Sequence, residues 1–460
     1  MTATLITDLK QLLPRVATDA DALAHYGRDW SRLHQPQPGA VVFPQSIEQV
    51  QALVRYANSH GTALVPSGGR TGMSGGALAP AGEVIVSFES MNSILHFDSI
   101  EASVCCQPGV ITQTLQDFAR EHGLFYPVDF GSRGSSQIGG NIATNAGGIK
   151  VIRYGLTRNW VSGLKVVTGK GDLLDLNKNL LKNATGYDLR HLFIGSEGTL
   201  GFIVEATLRL TRAPIEPRVM LLAVPELDGI MQVFSEFNAK LELNAFECFT
   251  DRCLRHVTAR GVPAPFNSPT APYYVLIEFD NISENQLDTA LALFEHCSEQ
   301  GWVSDGVMSE SETQARDLWR LREDISESIA PYTPYKNDIS VPVAKVADFM
   351  RACDDLLQRN YPAFEVLWFG HVGDGNLHVN ILKPDELAQA EFVARCQQVN
   401  ELLFGLLRDF GGSVSAEHGV GLTKKPYLHY TRDATELTYL RALKQVFDPN
   451  GIMNPGKIFD

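Results

Sequence analysis

The sequence predicts an α+β fold divided into domains, on three observations. The chain has 460 residues, more than one ordinary domain holds, and 44% of them are hydrophobic, which is enough for separate cores. Short apolar strand patterns alternate with amphipathic helix patterns. Two glycine-dense stretches interrupt the first half, and the composition changes near residue 215. We therefore predict domains over residues 1–215 and 216–410, followed by a mostly helical segment over residues 411–460.

In the first domain, strands and helices alternate around the glycine-dense stretches. Residues 1–30 contain a helix, and after a strand at Val41 the capping-box spacing of Ser46 and Gln49 predicts the start of another helix. Residues 63–65 form a strand that leads into the first glycine-dense loop. Further strands are predicted at 84–88, 102–107, 161–175 and 200–210, with a helix near 111–122.

In the second domain, strands predominate and are joined by longer helices. Strands are predicted at 220–224, 243–249, 273–279, 302–308 and 338–343, and helices at 226–240, 285–300, 311–329 and 346–360. A β-hairpin follows at 364–382. This alternation predicts an antiparallel sheet with helices on one of its faces.

Charge and cysteine usage exclude several classes of function. The formal net charge of −14 disfavours nucleic-acid binding and polybasic docking to membranes. Charged residues interrupt every long apolar window, so no membrane span is expected, and the N-terminus does not resemble a signal peptide. The seven cysteines are scattered and contain no Cys-x-x-Cys pair, which argues against an iron–sulfur cluster and predicts a reducing, cytoplasmic location.

Histidines near the C-terminus suggest a metal site. His371 and His378 flank a Gly-Asp-Gly turn, and Glu417 precedes His418 in a second glycine-bounded segment. Imidazole and carboxylate ligands suit a divalent metal, most simply zinc. His371, His378 and Glu417 would leave coordination positions open for a substrate, and His418 would stand beside them to move a proton. The same residues would equally suit a tight hairpin with two ordinary histidines.

The glycine-dense stretches, residues 66–76 and 131–148, suggest a phosphate-bearing ligand. Glycine lets a backbone approach a ligand closely and point N–H groups at an anion. Neither the GxGxxG spacing nor a Walker Lys-Ser/Thr pair occurs in the first stretch. The second adds small hydroxyl and amide side chains, which would line a buried polar cofactor. Structural turns are also glycine-rich, so the stretches alone leave both interpretations open.

Residues 66–76, 139–148 and 195–201, together with Asn454-Pro455-Gly456-Lys457, resemble the vanillyl-alcohol-oxidase-type FAD domain. The resemblance covers nearly the whole chain and is strongest to the FAD-dependent D-2-hydroxyacid dehydrogenases. It implies an FAD domain, an antiparallel-sheet cap domain that binds substrate, and a C-terminal segment that contributes to the active site and the flavin site. Members with covalent FAD often use a histidine in the first loop. That loop has none here, so we expect non-covalent FAD.

The resemblance also assigns residues to the cofactors. It implies His371, His378 and Glu417 as ligands of zinc or another divalent metal, and His418 as the catalytic base. The FAD contacts that it implies are Pro66, Gly68, Gly69, Arg70, Thr71, Gly72, Ser74, Gly75, Gly131, Ser132, Ser135, Gly139, Gly140, Asn141, Thr144, Asn145, Gly147, Gly148, Glu197, Gly201, Ile203 and Asn454.

Residues 318–326 and 335–342 are most similar to the branch of this family that oxidises D-2-hydroxyglutarate. By that resemblance Arg322, Ser326 and Lys336 bind the substrate carboxylates, helped by Asn380 and His418. Arg322 and Ser326 are four residues apart on one presumed helix and would share a face. Lys336 would give a dicarboxylate its second cationic anchor. Without the resemblance, Arg322 and Lys336 would be interpreted as ordinary surface charges.

The resemblance implies metal-assisted oxidation of D-2-hydroxyglutarate to 2-oxoglutarate by hydride transfer from C2 to the flavin, with His418 as general base. Electrons would pass to an external acceptor, either an electron-transfer flavoprotein or a quinone-linked one. D-lactate or D-malate as substrate remains an alternative, as does a flavin subunit of a glycolate-oxidase-like complex. A homodimer is possible.

Overall fold

The computed structural model describes residues 3–31, 35–266 and 271–459. Its strands are β1 (Val16–Ala17), β2 (Ala40–Val42), β3 (Leu64–Ser67), β4 (Val84–Ser87), β5 (Ile94–Asp98), β6 (Ser103–Cys106), β7 (Val161–Thr168), β8 (Leu173–Leu176), β9 (Gly201–Arg209), β10 (Pro217–Val224), β11 (Leu243–Thr250), β12 (Tyr273–Asp280), β13 (Asp305–Met308), β14 (Tyr335–Ser340), β15 (Val366–Gly370) and β16 (Asn376–Ile381).

The α-helices are α1 (Ala3–Leu12), α2 (Ala20–Tyr26), α3 (Ile47–His60), α4 (Thr112–Glu121), α5 (Ile138–Thr144), α6 (Val151–Tyr154), α7 (Thr157–Trp160), α8 (Arg190–Phe193), α9 (Leu227–Lys240), α10 (Asp251–Thr258), α11 (Glu284–Glu299), α12 (Glu312–Glu323), α13 (Ile325–Ser328), α14 (Val346–Asn360), α15 (Gln389–Asp409) and α16 (Ala434–Phe447). Short 3-10 helices lie at Ala330–Tyr332, Val343–Lys345, Val372–Asp374 and Lys425–Tyr430.

The chain divides into two compact units, and each unit draws on separate stretches of sequence. The first comprises Met1–Gly148, Gly155–Ala213 and Glu417–Asp460, and the second comprises Ile149–Tyr154 and Pro214–Ala416. This differs from the predicted division, because residues 149–154, 214–215 and 411–416 belong to the second unit and residues 417–460 belong to the first.

Charge pairs explain why residues 149–154 leave the first unit. Lys150 Nζ donates to Glu278 Oε1 at 2.9 Å, and Arg153 Nη1 lies 3.1 Å from Asp280 Oδ2. Both carboxylates lie on β12 and are buried. A buried carboxylate needs a hydrogen-bonded counter-charge, and these two basic side chains supply it. The partners are more than a hundred residues away in sequence, so no local pattern could have predicted that residues 149–154 belong to the second unit.

The first unit contains two sheets. One has the order β1-β2-β4-β3, with β2, β4 and β3 parallel, and the other is the antiparallel sheet β5-β6-β9-β7-β8. The predicted start of α3 is confirmed, since Ser46 Oγ accepts the N–H of Gln49 at 3.3 Å. The buried face of α3 shares one core with both sheets and with Ile452 and Met453 of the C-terminal segment.

The second unit is built on the antiparallel sheet β13-β10-β12-β11-β15-β16-β14, so the predicted sheet type is confirmed. Helices cover both faces, which corrects the expectation of one covered face. Trp319 of α12 shares a core with Leu221, whereas Phe294 of α11 packs beside Leu222, the next residue of β10, at Gly306. Neighbouring strand residues point to opposite faces. The unbroken apolar run of β10 is therefore buried on both sides.

Two helices differ from the sequence-based prediction. The predicted helix at 311–329 is interrupted at Asp324, which separates α12 from α13. Arg322, before the break, is only 6% exposed, whereas Ser326, after it, is exposed. The two residues therefore lie on separate helices rather than on one uninterrupted helix. Residues 138–144, predicted as loop, form α5 because Ile138 and Ile142 are buried at helical spacing.

The described residues contain no helix that is both long and apolar enough to cross a membrane. All seven cysteines are thiols, and six of them are buried.

Candidate functional site

The first unit contains a cavity around the end of β3. Three stretches of backbone form its walls: the loop after β3, the start of α5, and residues 196–203 at the start of β9. The glycines of the first stretch are thus placed where a ligand can contact the backbone.

Many of the residues expected to contact FAD line this cavity. They are Pro66, Gly68, Gly69, Arg70, Thr71, Gly72, Ser74, Gly139, Gly140, Asn141, Thr144, Glu197, Gly201 and Ile203. Others of that set are not among its lining residues: Gly75, Gly131, Ser132, Ser135, Asn145, Gly147, Gly148 and Asn454. The sequence analysis missed several lining residues. Asp29, Phe88 and Pro108 lie outside the glycine-dense stretches and carry no motif, and Gln137 lies inside the second stretch but was not singled out.

The cavity wall carries polar atoms that suit a nucleotide or flavin. Gln137 Oε1 and Asp29 Oδ2 are buried and have no hydrogen-bond partner among the described residues. A buried acceptor without a donor is costly, and FAD offers N–H and O–H donors. Arg70 brings a guanidinium to the wall, and burial lowers its pKa. The residues present therefore fit FAD.

Asn454 supports the cavity from behind. Its side-chain amide donates to Gly76 O at 2.9 Å and to Glu197 O at 2.7 Å, and its backbone N–H donates to Leu64 O at 2.8 Å. The residue is fully buried and has a left-handed φ of 43°, which asparagine tolerates better than most residues. One side chain thus ties together two segments that line the cavity and the strand β3.

Glu197 connects the cavity wall to the segment that carries His418. Its carboxylate oxygens accept the N–H groups of Val420 at 2.6 Å and Gly421 at 2.8 Å. Burial raises the pKa of Glu197 to about 7 in spite of these two hydrogen bonds. Ser74 O, on the first loop, accepts the N–H of Leu422 at 2.8 Å. The backbone after Glu417 and His418 is therefore fixed by residues that line the cavity.

In the second unit, the hairpin β15–β16 brings His371 and His378 together. His371 directly follows β15, a 3-10 turn and Gly375 at φ +84° reverse the chain, and His378 lies on β16. The two imidazole centroids are 5.4 Å apart. This spacing is short enough for both rings to reach one ion.

A carboxylate faces Nδ1 of each histidine. His371 Nδ1 donates to Glu247 Oε1 at 2.7 Å, and His378 Nδ1 lies 3.6 Å from Asp338 Oδ1. A carboxylate at Nδ1 favours the tautomer protonated there, which puts the lone pair on Nε2. Metal-binding histidines usually have such a carboxylate or carbonyl partner, so the donor set fits a divalent metal.

Glu247 also binds Arg322. Its second oxygen, Oε2, accepts from Arg322 Nε at 2.8 Å, and the Arg322 guanidinium lies 4.7 Å from the centre of the Phe369 ring. Arg322 is therefore no solvated surface charge. Glu247 did not stand out in the sequence, because it is one acidic residue in the apolar strand β11, 124 positions before His371.

Lys336 and Asn380 are direct partners across β14 and β16, two positions from the pair Asp338 and His378. Residues opposite each other in an antiparallel pair, and those two positions along, point to one face of the sheet. Lys336 keeps an exposed surface as a residue, but neighbouring groups crowd its ammonium enough that desolvation lowers its pKa. Asn380 is buried, and its Oδ1 accepts no hydrogen bond from the described residues.

Comparisons with known proteins agree with this architecture. Residues 38–177 match the family described as FAD binding domain, and residues 213–458 match the family described as FAD linked oxidases, C-terminal domain. A solved structure of p-cresol methylhydroxylase with substrate bound superposes with a TM-score of 0.77 over 99% of this chain and 96% of that chain, at 15% identity. The match over residues 213–458 covers more than half of the chain, so the protein belongs to the FAD-linked oxidases, and its fold is the one seen in p-cresol methylhydroxylase.

Two bacterial relatives are much closer in sequence. D-2-hydroxyglutarate dehydrogenase of Stutzerimonas stutzeri is 60% identical over 458 residues, which cover 99% of this chain and 98% of the relative. D-2-hydroxyglutarate dehydrogenase of Xanthomonas citri pv. viticola is 56% identical over 462 residues, which cover 100% and 98%. The chain belongs to the D-2-hydroxyglutarate dehydrogenase family of FAD-dependent 2-hydroxyacid dehydrogenases.

Proposed function

We propose that this protein oxidises D-2-hydroxyglutarate to 2-oxoglutarate with non-covalent FAD and a divalent metal, most simply zinc. The observation that carries the metal site is the pair His371 and His378, 5.4 Å apart and each facing a carboxylate through Nδ1. Glu417 completes the proposed ligand set. When bound, FAD supplies a hydride acceptor for C2 of the substrate, and the metal supplies Lewis acidity at the C2 hydroxyl.

The residues of this chain bind the anion and move the proton. Lys336 supplies an ammonium, and within the described part of the chain no carboxylate pairs with it. A substrate carboxylate would provide that counter-charge. Asn380 presents a buried amide on the same sheet face, and Arg322 and Ser326 contribute to orienting the anion. His418 accepts the proton of the C2 hydroxyl, a role that suits imidazole near neutral pH.

The test is an anaerobic titration of the FAD- and metal-loaded protein, followed by flavin absorbance. D-2-hydroxyglutarate should bleach the flavin at concentrations far below those that D-lactate or D-malate requires. Bleaching best with D-lactate would overturn the dicarboxylate assignment. Absence of bleaching by all three acids would overturn the proposed reaction.

The proton-transfer role has its own variant. His418→Ala should retain FAD and metal but reduce the flavin at least a hundredfold more slowly, since a positioned general base contributes about 10²–10⁴ in rate. Unchanged flavin reduction would remove His418 from the mechanism.

The acceptor of the electrons is proposed to be an electron-transfer flavoprotein. Mixing reduced protein with electron-transfer flavoprotein, with a soluble quinone or with oxygen, and following flavin reoxidation in each case, tests this. Faster reoxidation by the quinone would assign a quinone-linked acceptor instead. Rapid peroxide formation would make the protein an oxidase.

A further inference from the structure

Glu247 stands out among the buried acidic residues because both of its oxygens are used by residues of the proposed site. Its side chain is 1% exposed, Oε1 accepts from His371 Nδ1 at 2.7 Å, and Oε2 accepts from Arg322 Nε at 2.8 Å. We propose that Glu247 is a positioning residue that fixes His371 as a metal ligand and fixes Arg322 beside it. This inference rests on the metal site of the proposed function.

The first part of the role is choice of tautomer. A neutral imidazole carries one proton, and an ionised carboxylate can only accept a hydrogen bond. With Glu247 at Nδ1, the proton stays on that nitrogen and the ring is held in one orientation. The lone pair is then on Nε2, as ligation requires.

The second part is that Arg322 holds the carboxylate in place. A glutamate with a single partner could rotate about its last torsion, but two charge-assisted hydrogen bonds on opposite oxygens fix the plane of the group. The guanidinium also supplies the positive charge that a fully buried carboxylate needs. Its contact with the Phe369 ring at 4.7 Å restrains Arg322 in turn.

The backbone makes this arrangement rigid. Glu247 lies inside β11, which pairs with β12 on one side and with β15 on the other. The register places Cys248 opposite Gly370, so Glu247, next to Cys248, lies opposite His371, next to Gly370. Glu247 and His371 are therefore held together by neighbouring strands.

The chain offers a matched control in Glu278, on the adjacent strand β12. It is also buried, and its two oxygens accept from Lys150 Nζ at 2.9 Å and from Trp319 Nε1 at 2.8 Å. Glu278 thus binds a cation and a ring N–H as Glu247 does, but neither partner belongs to the proposed metal site.

Glu247→Gln tests the proposal. An amide has one acceptor oxygen, so it cannot accept from both Arg322 and His371. If its NH2 group faces His371, Nδ1 must accept, and the proton moves to Nε2, the ligating nitrogen. The Zn²⁺ affinity of FAD-loaded, metal-stripped protein, measured by competition with a chromophoric chelator, should fall by about 10–100-fold. Glu278→Gln should change it by less than about threefold, although both variants lower the melting temperature.

A second variant covers the case in which Glu247→Gln fails to fold. Glu247→Asp keeps the charge beside Arg322 but is one methylene shorter, so its carboxylate cannot keep both hydrogen bonds, and Zn²⁺ affinity should fall at least fivefold. Wild-type affinity in the folded Glu247 variants would overturn the proposal, and so would an equal loss in Glu278→Gln. His371→Ala separates the two hypotheses. If it binds Zn²⁺ as the wild type does, the metal site itself is wrong, and if only the Glu247 variants are unaffected, only the positioning role is wrong.

Discussion

Asn454 provides a sharp test of how the cofactor cavity is held together. Its amide donates two hydrogen bonds, to Gly76 O and Glu197 O, and the residue is fully buried at φ +43°. Substitution by Gly, Ala or Asp removes the same two donors but differs in backbone strain and charge. The three variants therefore separate the hydrogen bonds from the strain and from the charge.

The expected losses in the free energy of unfolding follow from the geometry. In Asn454→Gly two buried carbonyls lose their donor, at about 1–2 kcal/mol each, giving roughly 2–4 kcal/mol. Asn454→Ala adds about 1–2 kcal/mol because alanine is unfavourable in the left-handed region. Asn454→Asp should be the most destabilising of the three, since it places a buried carboxyl group against two carbonyl oxygens.

Urea denaturation of the three variants and the wild type measures this order of stability. The FAD content after gel filtration measures how well the cavity retains the cofactor. FAD retention should fall in the same order as stability, because Asn454 connects segments that line the cavity. An Asp variant as stable as the Gly variant would refute the assignment of the two hydrogen bonds. Normal FAD retention in all three would refute the support role.

Three other outcomes are expected. Burial raises the pKa of Glu197 from 4.5 to about 7, so between these pH values the folded state binds more protons than the unfolded state. The free energy of unfolding should therefore fall by up to about 3 kcal/mol as the pH rises through that window. Urea titrations at pH 5 and pH 8 should show a smaller pH dependence in Glu197→Gln, and an identical dependence would contradict this. Lys336→Met should lower kcat/KM for D-2-hydroxyglutarate by about 10–100-fold, the effect expected for loss of one charge-assisted hydrogen bond. The kcat/KM for D-lactate should fall by less than about threefold. A uniform loss would make Lys336 a general structural residue. Lys444 Nζ donates to Thr199 O at 2.7 Å, to Met453 O at 2.8 Å and to the fully buried carboxylate of Asp448 at 2.5 Å. Lys444→Met should therefore lower the free energy of unfolding, measured by denaturant titration, by about 3–5 kcal/mol. The surface substitution Lys240→Met should lower it by less than about 0.5 kcal/mol. Equal effects of the two substitutions would contradict the structural role of Lys444.

Sequence patterns predicted the features that interactions between neighbouring residues determine. The helix start at Ser46, the hairpin that carries His371 and His378, and the glycine loop after β3 all depend on residues within a few positions. Most strands were predicted within a few residues of their ends, but β1 and β5 were not predicted, and the stretch 161–175 contains two strands, β7 and β8. The unbroken apolar run of β10 also indicates a strand buried on both faces, so the sequence contained evidence against the expectation of one covered face.

The rest of the site depends on long-range partners that no local pattern reveals. Glu247 is 124 positions from His371, and Asn454 is 378 positions from Gly76. The break at Asp324 was not visible in the sequence either, because residues 311–329 carry a helical pattern on both sides of it. Residue types predicted which groups could bind a cofactor or a metal, but the side chains that hold those groups in place became visible only in the structure.

The route of the chain through the two units sets the order in which they can be completed during synthesis. The strand β3 needs Ile452 and Asn454, which bond to both sides of Leu64, so the first unit stays unfinished until the last forty-four residues, Glu417–Asp460, have been made. The second unit has all of its residues once Ala416 is made. Domains usually mature from the N-terminus onward during translation. Here the second unit has its full set of residues before the first, because the first unit also needs residues 417–460.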